Sequence, residues 1–447
     1  RQPGSTLKPF VYAEAMEELG WTAATLLPDV ELHVTTEQGQ YSPRNYDGVF
    51  HGPVRLREAL ANSYNVPAVH ATSILGPGRV LERLRKAGFS TLDRDASHYG
   101  TALALGDGEV RLLQLANAYA AIARGGFVTP VRSVIEAVDR AGRPIPFPAP
   151  ASDRVMQKGT AAVLVDILRD PHARMSAFGL HSVLDLPFDV AVKTGTSKGF
   201  RDNLTVGFTR EVTVAVWVGN FDGSPMQDVS GITGAGPLFR SVMLAAMEAR
   251  EAGAFGFEGI DVEPAPICPL SGLRAGPHCP HRASETFLRG TAPERACDVH
   301  VEVSVDRRNG LRAGDGCARH QTNKRVFESW APPFARWAVT AHRPTVPGWS
   351  PLCPGADDVA GRLALKYPHS GTVFVSDPSL PEASEGIVLR ADAPLSVRRL
   401  RFVVDGKTLA ERERPFELTI RMAPGEHRAR VEAEGLPPSE SVDFTVR

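Results

Sequence analysis

Three apolar segments follow one another closely near the middle of this chain. They are Phe188–Gly195, Leu204–Phe208 and Val212–Val218, joined at Lys198-Gly199 and Thr209-Arg210-Glu211. Segments joined so tightly pair antiparallel, because a parallel crossover needs a dozen or more residues. The spacing therefore predicts an antiparallel meander. Upstream, Ser5–Leu19, Val54–Asn62, Pro67–Leu75, Arg79–Ala87, Glu109–Ala123 and Arg154–Arg169 read as helices, most of them bounded by Pro or Gly. Ser5 stands where an N-cap would sit and Gly20 where the first helix would close. A further helix, Ala235–Ala249, follows the meander and would lie on it. The expected fold class is α/β in the α+β sense, with a central antiparallel sheet.

At 447 residues the chain exceeds what one core usually supports. Residues 1–256 form the first expected domain. Residues 257–356 turn to Pro, Gly, Arg and all five cysteines with little periodicity, and read as an irregular linker module. Residues 357–447 return to short apolar runs (Thr372–Val375, Ile387–Arg390, Leu400–Val404, Phe416–Ile420, His427–Val431, Val442–Val446), which predict a small β-sandwich. No internal repeat is read along the chain. A formal net charge of -1 gives no electrostatic footprint for nucleic acid and no general attraction to an anionic membrane. No apolar run is long enough to span a bilayer, and Arg1-Gln2-Pro3-Gly4 lacks a signal-peptide pattern, so the start reads as truncated.

Three patterns carry chemistry: Ser5-Thr6-Leu7-Lys8, Ser63-Tyr64-Asn65 and Lys193-Thr194-Gly195-Thr196. Each is the only Ser-x-x-Lys, Ser-x-Asn or Lys-Thr-Gly in the chain. Lysine is scarce here, so Lys-Thr-Gly would arise by accident only about four times in a hundred. Alone, Ser5 is a helix cap, Ser63 and Asn65 are turn residues, and Lys193–Thr196 ends a strand. Together they make a candidate reaction site. On a helix Lys8 lies one turn from Ser5, its amine within reach of the hydroxyl. A serine hydroxyl needs a base to become a nucleophile, and Lys8 serves only when neutral, which burial or a neighbouring cation such as Lys193 would bring about. Ser63 is placed to shuttle a proton, and Asn65 to orient a substrate carbonyl and Lys8. Gly195 would let a substrate backbone pair against the strand, with the Thr194 and Thr196 hydroxyls offered to a carboxylate.

These motifs resemble those of the penicillin-binding proteins and serine β-lactamases, S-x-x-K, S-x-N and K-T-G. The surroundings, Arg1-Gln2-Pro3-Gly4 before Ser5, Ala104-Leu105-Gly106-Asp107-Gly108-Glu109-Val110 and Gly199-Phe200-Arg201-Asp202-Asn203, resemble the bifunctional class A members. Ile267-Cys268-Pro269-Leu270-Ser271-Gly272 and the last β module are similar to the 1C branch. The resemblance implies a transpeptidase fold with a helical subdomain. It implies a peptidoglycan stem peptide ending in D-Ala-D-Ala as donor and a neighbouring stem amine as acceptor. β-Lactams would be covalent inhibitors. Ser5 would be the nucleophile, Lys8 the base, Ser63 and Asn65 the relay and orienting amide, and Lys193 and Thr194 the electrostatic and carboxylate site. Gly195, Thr196 and Tyr64 would complete the substrate contacts, with the N–H groups of Ser5 and Thr196 as oxyanion hole. A membrane anchor and glycosyltransferase domain are expected upstream, placing the chain on the periplasmic face of the bacterial inner membrane. No cofactor or metal is implied, and the C-terminal module would meet wall or a protein partner.

Two rival functions stay open in the sequence: a D,D-carboxypeptidase passing the acyl group to water, and a penicillin-sensing or wall-binding module without turnover. Cys279-Pro280-His281, Cys297 with His300 and Cys317 with His320 could be drawn as a zinc site, but the spacings lack a tight C-x-x-C pair. Disulfides are the expectation, Cys268 with Cys279 and Cys297 with Cys317, leaving Cys353 free.

Overall fold

The computed structural model describes residues 1–32, 34–36, 39–146, 150–179, 181–253, 255, 258–331, 334–353, 363–369, 372–374, 387–394 and 397–446. The expected domain boundaries at 256/257 and 356/357 lie outside them. The chain divides into two compact units. One comprises Arg1–Leu32, Ser42–Val301 and Glu328–Thr345, the other His33–Tyr41, Glu302–Phe327 and Val346–Arg447.

In the first unit the meander forms as expected, with strands Ala191–Thr196, Asp202–Phe208 and Thr213–Gly219 in sequential antiparallel order. Every residue of the middle strand is buried, because both faces of the sheet are covered. Ala191, Leu204, Val206 and Phe208 join the core that includes Leu7, Phe10, Val11, Tyr119 and Ile167 of the helices. Val192, Val214 and Val216 face the other way, against Phe239, Met243 and Met247 of helix Gly236–Met247. Gly207 permits that second contact, since a Cβ there would stand 2.8 Å from the Phe239 ring and 3.1 Å from Val192.

The helices run Lys8–Leu19, Leu56–Ala61, Asn65–Leu75, Pro77–Lys86, Leu112–Ala123 and Lys158–Arg169. Two sequence expectations need correction. Ser5 is not an N-cap. It lies inside a 3₁₀ turn, Gly4–Leu7, that precedes the α-helix, and neither N-terminus has a side-chain cap bond. The helix does close at Gly20, in the left-handed region at φ 66°. The Val54–Asn62 segment splits, because Gly52–Arg55 pairs with Leu26–Asp29 before the helix starts. Arg55 is extended, and the Glu58 carboxylate accepts from its N–H at 3.0 Å, so the helix begins only at Leu56.

The stretch expected to be irregular carries paired strands: Val262–Ile267 with Ala283–Leu288, and His300–Asp306 with Thr322–Glu328. Pro264 and Pro266 mask the first of these in the sequence. A two-stranded sheet tolerates them because each strand has a free edge. The disulfide expectation fails. Cys317 is joined to Cys353, while Cys268, Cys279 and Cys297 are free. The Gly314 N–H donates to the Cys353 carbonyl at 3.0 Å, which brings the Cys353 loop to Cys317.

The C-terminal part of the second unit is the expected sandwich. Ala364–Tyr367, Ile387–Asp392 and Glu417–Ile420 make one sheet, and Thr372–Phe374, Val442–Val446, Gly425–Glu432, Leu400–Val404 and Lys407–Arg412 the other. Leu389, Leu418, Phe402, Val431 and Phe444 share the core between them. No helix among the described residues is long and apolar enough to cross a membrane.

Candidate active site

Ser5 and Lys8 stand three residues apart across the 3₁₀ turn and the start of the helix, a spacing at which side chains eclipse. Ser5 is half-buried and Lys8 fully buried. The turn is held from both sides: the Thr6 hydroxyl donates to the Pro3 carbonyl at 2.8 Å, and the Tyr119 hydroxyl to the Thr6 carbonyl at 2.7 Å.

The Lys8 amine donates to the Ser63 carbonyl at 2.6 Å, the Asn65 Oδ1 at 2.7 Å and the Tyr64 carbonyl at 3.0 Å. The Ser63-Tyr64-Asn65 loop is shaped for this. Ser63 is in the left-handed region at φ 62°, a conformation that costs a serine roughly 1 kcal/mol or more. Its hydroxyl accepts from the Lys193 amine at 2.7 Å, which also donates to the Thr194 carbonyl at 2.9 Å. Burial, and then the Lys193 charge, pull Lys8 well below its ordinary pKa, with Asp29 acting the other way. Burial brings Lys193 down to about 7.

The third motif lies on the edge strand. Ser197 donates its N–H to the Asp202 carbonyl at 2.9 Å, so Thr196, one residue earlier and opposite Asn203, directs its N–H away from the sheet. Two glycines bring this edge against the serine turn. A Cβ on Gly195 would stand 2.3 Å from the Pro3 carbonyl oxygen, and one on Gly4 2.8 Å from Thr196 N. Gly195 thus makes room for the serine turn, where the sequence suggested room for a substrate. Tyr64, expected among the substrate contacts, is buried, with its ring stacked on His51 at 4.0 Å, and meets the site through its carbonyl. The Thr196 hydroxyl accepts from the Gly231 N–H at 2.9 Å. Thr194 is buried at the same edge.

A support absent from the sequence reading lies beneath Asn65. Its N–H donates to Asn45 Oδ1 at 2.7 Å, and Asn45 donates its amide to both oxygens of fully buried Asp29, at 2.8 and 2.7 Å. His51 meets Asp29 through its N–H and through Nδ1. Asp29 and Asn45 belong to no short motif, and nothing in their local sequence announces them.

Residues 1–244 match the penicillin binding protein transpeptidase domain, more than half of the chain. The chain belongs to the penicillin-binding protein transpeptidase family. Residues 261–302 match the C-terminal domain of penicillin-binding protein 1A, and residues 355–436 the penicillin-binding protein C-terminus family. Penicillin-binding protein 1C of Escherichia coli is 28% identical over 94% of this chain and 53% of its own length. Penicillin-binding protein 1A of Neisseria gonorrhoeae is 30% identical over 56% of this chain and 32% of its own. The chain thus spans about half, or less, of the curated relatives it matches. Among solved structures, penicillin-binding protein 1A from Haemophilus influenzae shares the fold, with a TM-score of 0.58, 23% identity, and coverage of 66% of this chain and 49% of that one.

Proposed function

We propose that this chain is a serine D,D-transpeptidase that crosslinks peptidoglycan stem peptides. The observation that carries the reading is the convergence of two buried amines on one residue beside the Ser5 turn, Lys8 on the Ser63 carbonyl and Lys193 on its hydroxyl. Neutral Lys8 takes the Ser5 proton as Oγ attacks the penultimate D-Ala carbonyl of the donor. The developing oxyanion is met by the Ser5 N–H and by the outward-facing Thr196 N–H. As the C–N bond breaks, the proton passes by way of Ser63 to the departing D-alanine nitrogen. Charged Lys193 and the Thr194 hydroxyl draw the donor carboxylate, and Asn65 orients its amide. An amine from a second stem then attacks the ester, losing a proton to the same relay and releasing Ser5. The family membership supports the reaction class, and the edge strand supports binding of an extended peptide.

The same reading makes residues 1–256 the transpeptidase domain, 257–356 a linking module and 357–447 a separate sandwich for wall or partner contact. It expects a glycosyltransferase domain and membrane anchor upstream, on the periplasmic face of the inner membrane. The test is intact-mass and peptide mapping after penicillin treatment. A single adduct on Ser5 that disappears in Ser5→Ala is expected, and an adduct on another residue would overturn the assignment. Crosslinking of polymerised glycan, against simple loss of D-alanine to water, separates a transpeptidase from a carboxypeptidase.

A further inference from the structure

The cysteine region contains a duplication. Gly272-Leu273-Arg274-Ala275-Gly276 recurs as Gly310-Leu311-Arg312-Ala313-Gly314, which corrects the reading that the chain has no repeat. The backbone repeats with it. Cys268 N–H donates to the Leu273 carbonyl at 2.8 Å, as Asp306 does to Leu311 at 2.8 Å, and Gly272 donates to Cys268 at 2.9 Å as Gly310 does to Asp306 at 2.7 Å. Arg274 and Arg312 each bridge in parallel to a later segment, at Ala296 and Trp349. The following residues donate back, Cys297 to the Arg274 carbonyl at 2.8 Å and Ser350 to that of Arg312 at 2.7 Å. The equivalent positions are therefore Cys268 and Asp306, Cys279 and Cys317, Cys297 and Ser350, His300 and Cys353.

In the second copy the four positions satisfy one another without a ligand. Cys317 and Cys353 are bonded, and Asp306 accepts from the Ser350 hydroxyl at 2.7 Å and from Arg308 at 2.9 Å. The first copy differs. Its four positions bring three thiols and one imidazole nitrogen within 4.8 Å of one another, with no disulfide among them. His300 Nδ1 is 3.5 Å from the Cys268 sulfur and 3.4 Å from that of Cys297. Ligands on a tetrahedral zinc, at about 2.3 Å for sulfur and about 2.0–2.1 Å for nitrogen, stand about 3.5 Å apart. The Gly276 N–H points at the Cys279 sulfur at 3.2 Å, and the N–H groups of Val299 and His300 point at that of Cys297. Cys268 is fully buried and His300 nearly so, and the His300 Nε2 has no hydrogen-bond partner among the described residues.

We propose that Cys268, Cys279, Cys297 and His300 bind a structural zinc ion, while the duplicated site has exchanged its metal for the Cys317–Cys353 disulfide. Three thiol protons leave on binding, and all four positions around the metal are filled by protein. Such a closed site ties the strands Val262–Ile267 and Ala283–Leu288 to the start of the next strand. It leaves no place for a catalytic water. Soft thiolate and imidazole donors select zinc over calcium or magnesium.

The test uses the full chain, purified without chelator. Elemental analysis should give one zinc per chain. Cobalt(II) added to the metal-stripped chain should give the intense visible bands and near-ultraviolet thiolate charge transfer of a tetrahedral site. Zinc should be lost in Cys268→Ser and Cys297→Ser, and kept in the double variant Cys317→Ser/Cys353→Ser. Should the Cys268 and Cys297 variants fail to fold, the cobalt spectrum of the unaltered chain decides, and a weak octahedral spectrum overturns the proposal. So does a disulfide among Cys268, Cys279 and Cys297 on peptide mapping of the untreated chain, or zinc that follows Cys317 and Cys353 instead.

Discussion

The Lys193 amine donates to the Ser63 hydroxyl at 2.7 Å, while the carbonyl of that serine accepts from Lys8 at 2.6 Å. Lys8 must be neutral to take a proton and Lys193 charged to hold a carboxylate. Two amines on one serine therefore need opposite protonation states. Acylation by penicillin should follow a bell-shaped pH profile whose alkaline limb falls near pH 7 as Lys193 loses its proton. Lys193→Arg should flatten that limb, because a guanidinium keeps its charge. Lys193→Met should move the acid limb to higher pH, because the Lys193 charge helps to depress Lys8. Stopped-flow rates for the three proteins test this, and an acid limb unmoved in Lys193→Met would refute the coupling.

The same burial has a signature in stability. Lys193 falls from an ordinary value of 10.5 to about 7 on folding. Between those values the unfolded chain binds more protons, so stability rises with pH through that window and the full penalty persists below it. Lys193→Met removes the penalty and two hydrogen bonds each worth about 1 kcal/mol. The variant should be more stable than the natural chain at pH 6 by on the order of a few kcal/mol, with the gap closing toward pH 10. Urea unfolding midpoints at both pH values check it. A gap that is constant with pH would reject the assignment.

Gly195→Ala probes the approach of strand to serine turn. The new methyl would stand 2.3 Å from the Pro3 carbonyl oxygen and 2.8 Å from the Thr6 methyl. Backbone oxygen cannot swing aside as a flexible side chain can, so the turn must retreat. The expected cost is about 1–3 kcal/mol of stability, with penicillin labelling slowed at least tenfold because the Ser5 and Thr196 N–H groups part. Ala at Gly207 should destabilise through the Ala191 carbonyl oxygen and Phe239, away from the serine turn and without the same effect on labelling. Equal loss of labelling in both variants would mean the effect is general unfolding.

How much of this was legible beforehand depends on how local the signal is. The meander, most helices and the sandwich follow from periodicity and turn residues within a few positions. Ser5, Lys8, Ser63, Asn65 and Lys193 stand out in the sequence because rare residue types recur there in short patterns. The surroundings of Tyr64 and Gly195 were not legible, because they are set by neighbours distant in sequence: His51 for the ring, Pro3 for the missing Cβ. The disulfide was misassigned for the same reason. A backbone bond from Gly314 brings in Cys353 from 36 residues away to pair with Cys317. The duplication escaped because its second half keeps the Gly-Leu-Arg-Ala-Gly loop but replaces three of four ligand positions.

Asp29 is tied to the reacting groups by hydrogen bonds through Asn45 and Asn65, so it is a positioning residue, and Asp29→Asn separates that role from mere packing. The asparagine keeps the shape but turns one oxygen into an amide donor facing the Asn45 amide. The unmet donors should cost about 1–3 kcal/mol of stability and slow labelling roughly tenfold as Asn65 and Lys8 lose their fixed positions. Two pH effects go beyond packing. Asp29 raises His51 above its ordinary 6.5, chiefly through their hydrogen bond, so this pair stabilises the fold fully below pH 6.5, and the contribution fades as pH rises through the raised value. That pH dependence should shrink in the variant, where Asp47 alone still raises His51. Asp29 also opposes the fall of the Lys8 pKa, so its neutralisation should move the acid limb of penicillin labelling to lower pH, opposite to the shift expected for Lys193→Met. Labelling rates against pH, with unfolding measured on either side of pH 6.5, check both. A variant that is slower at every pH by the same factor would reduce Asp29 to a structural residue.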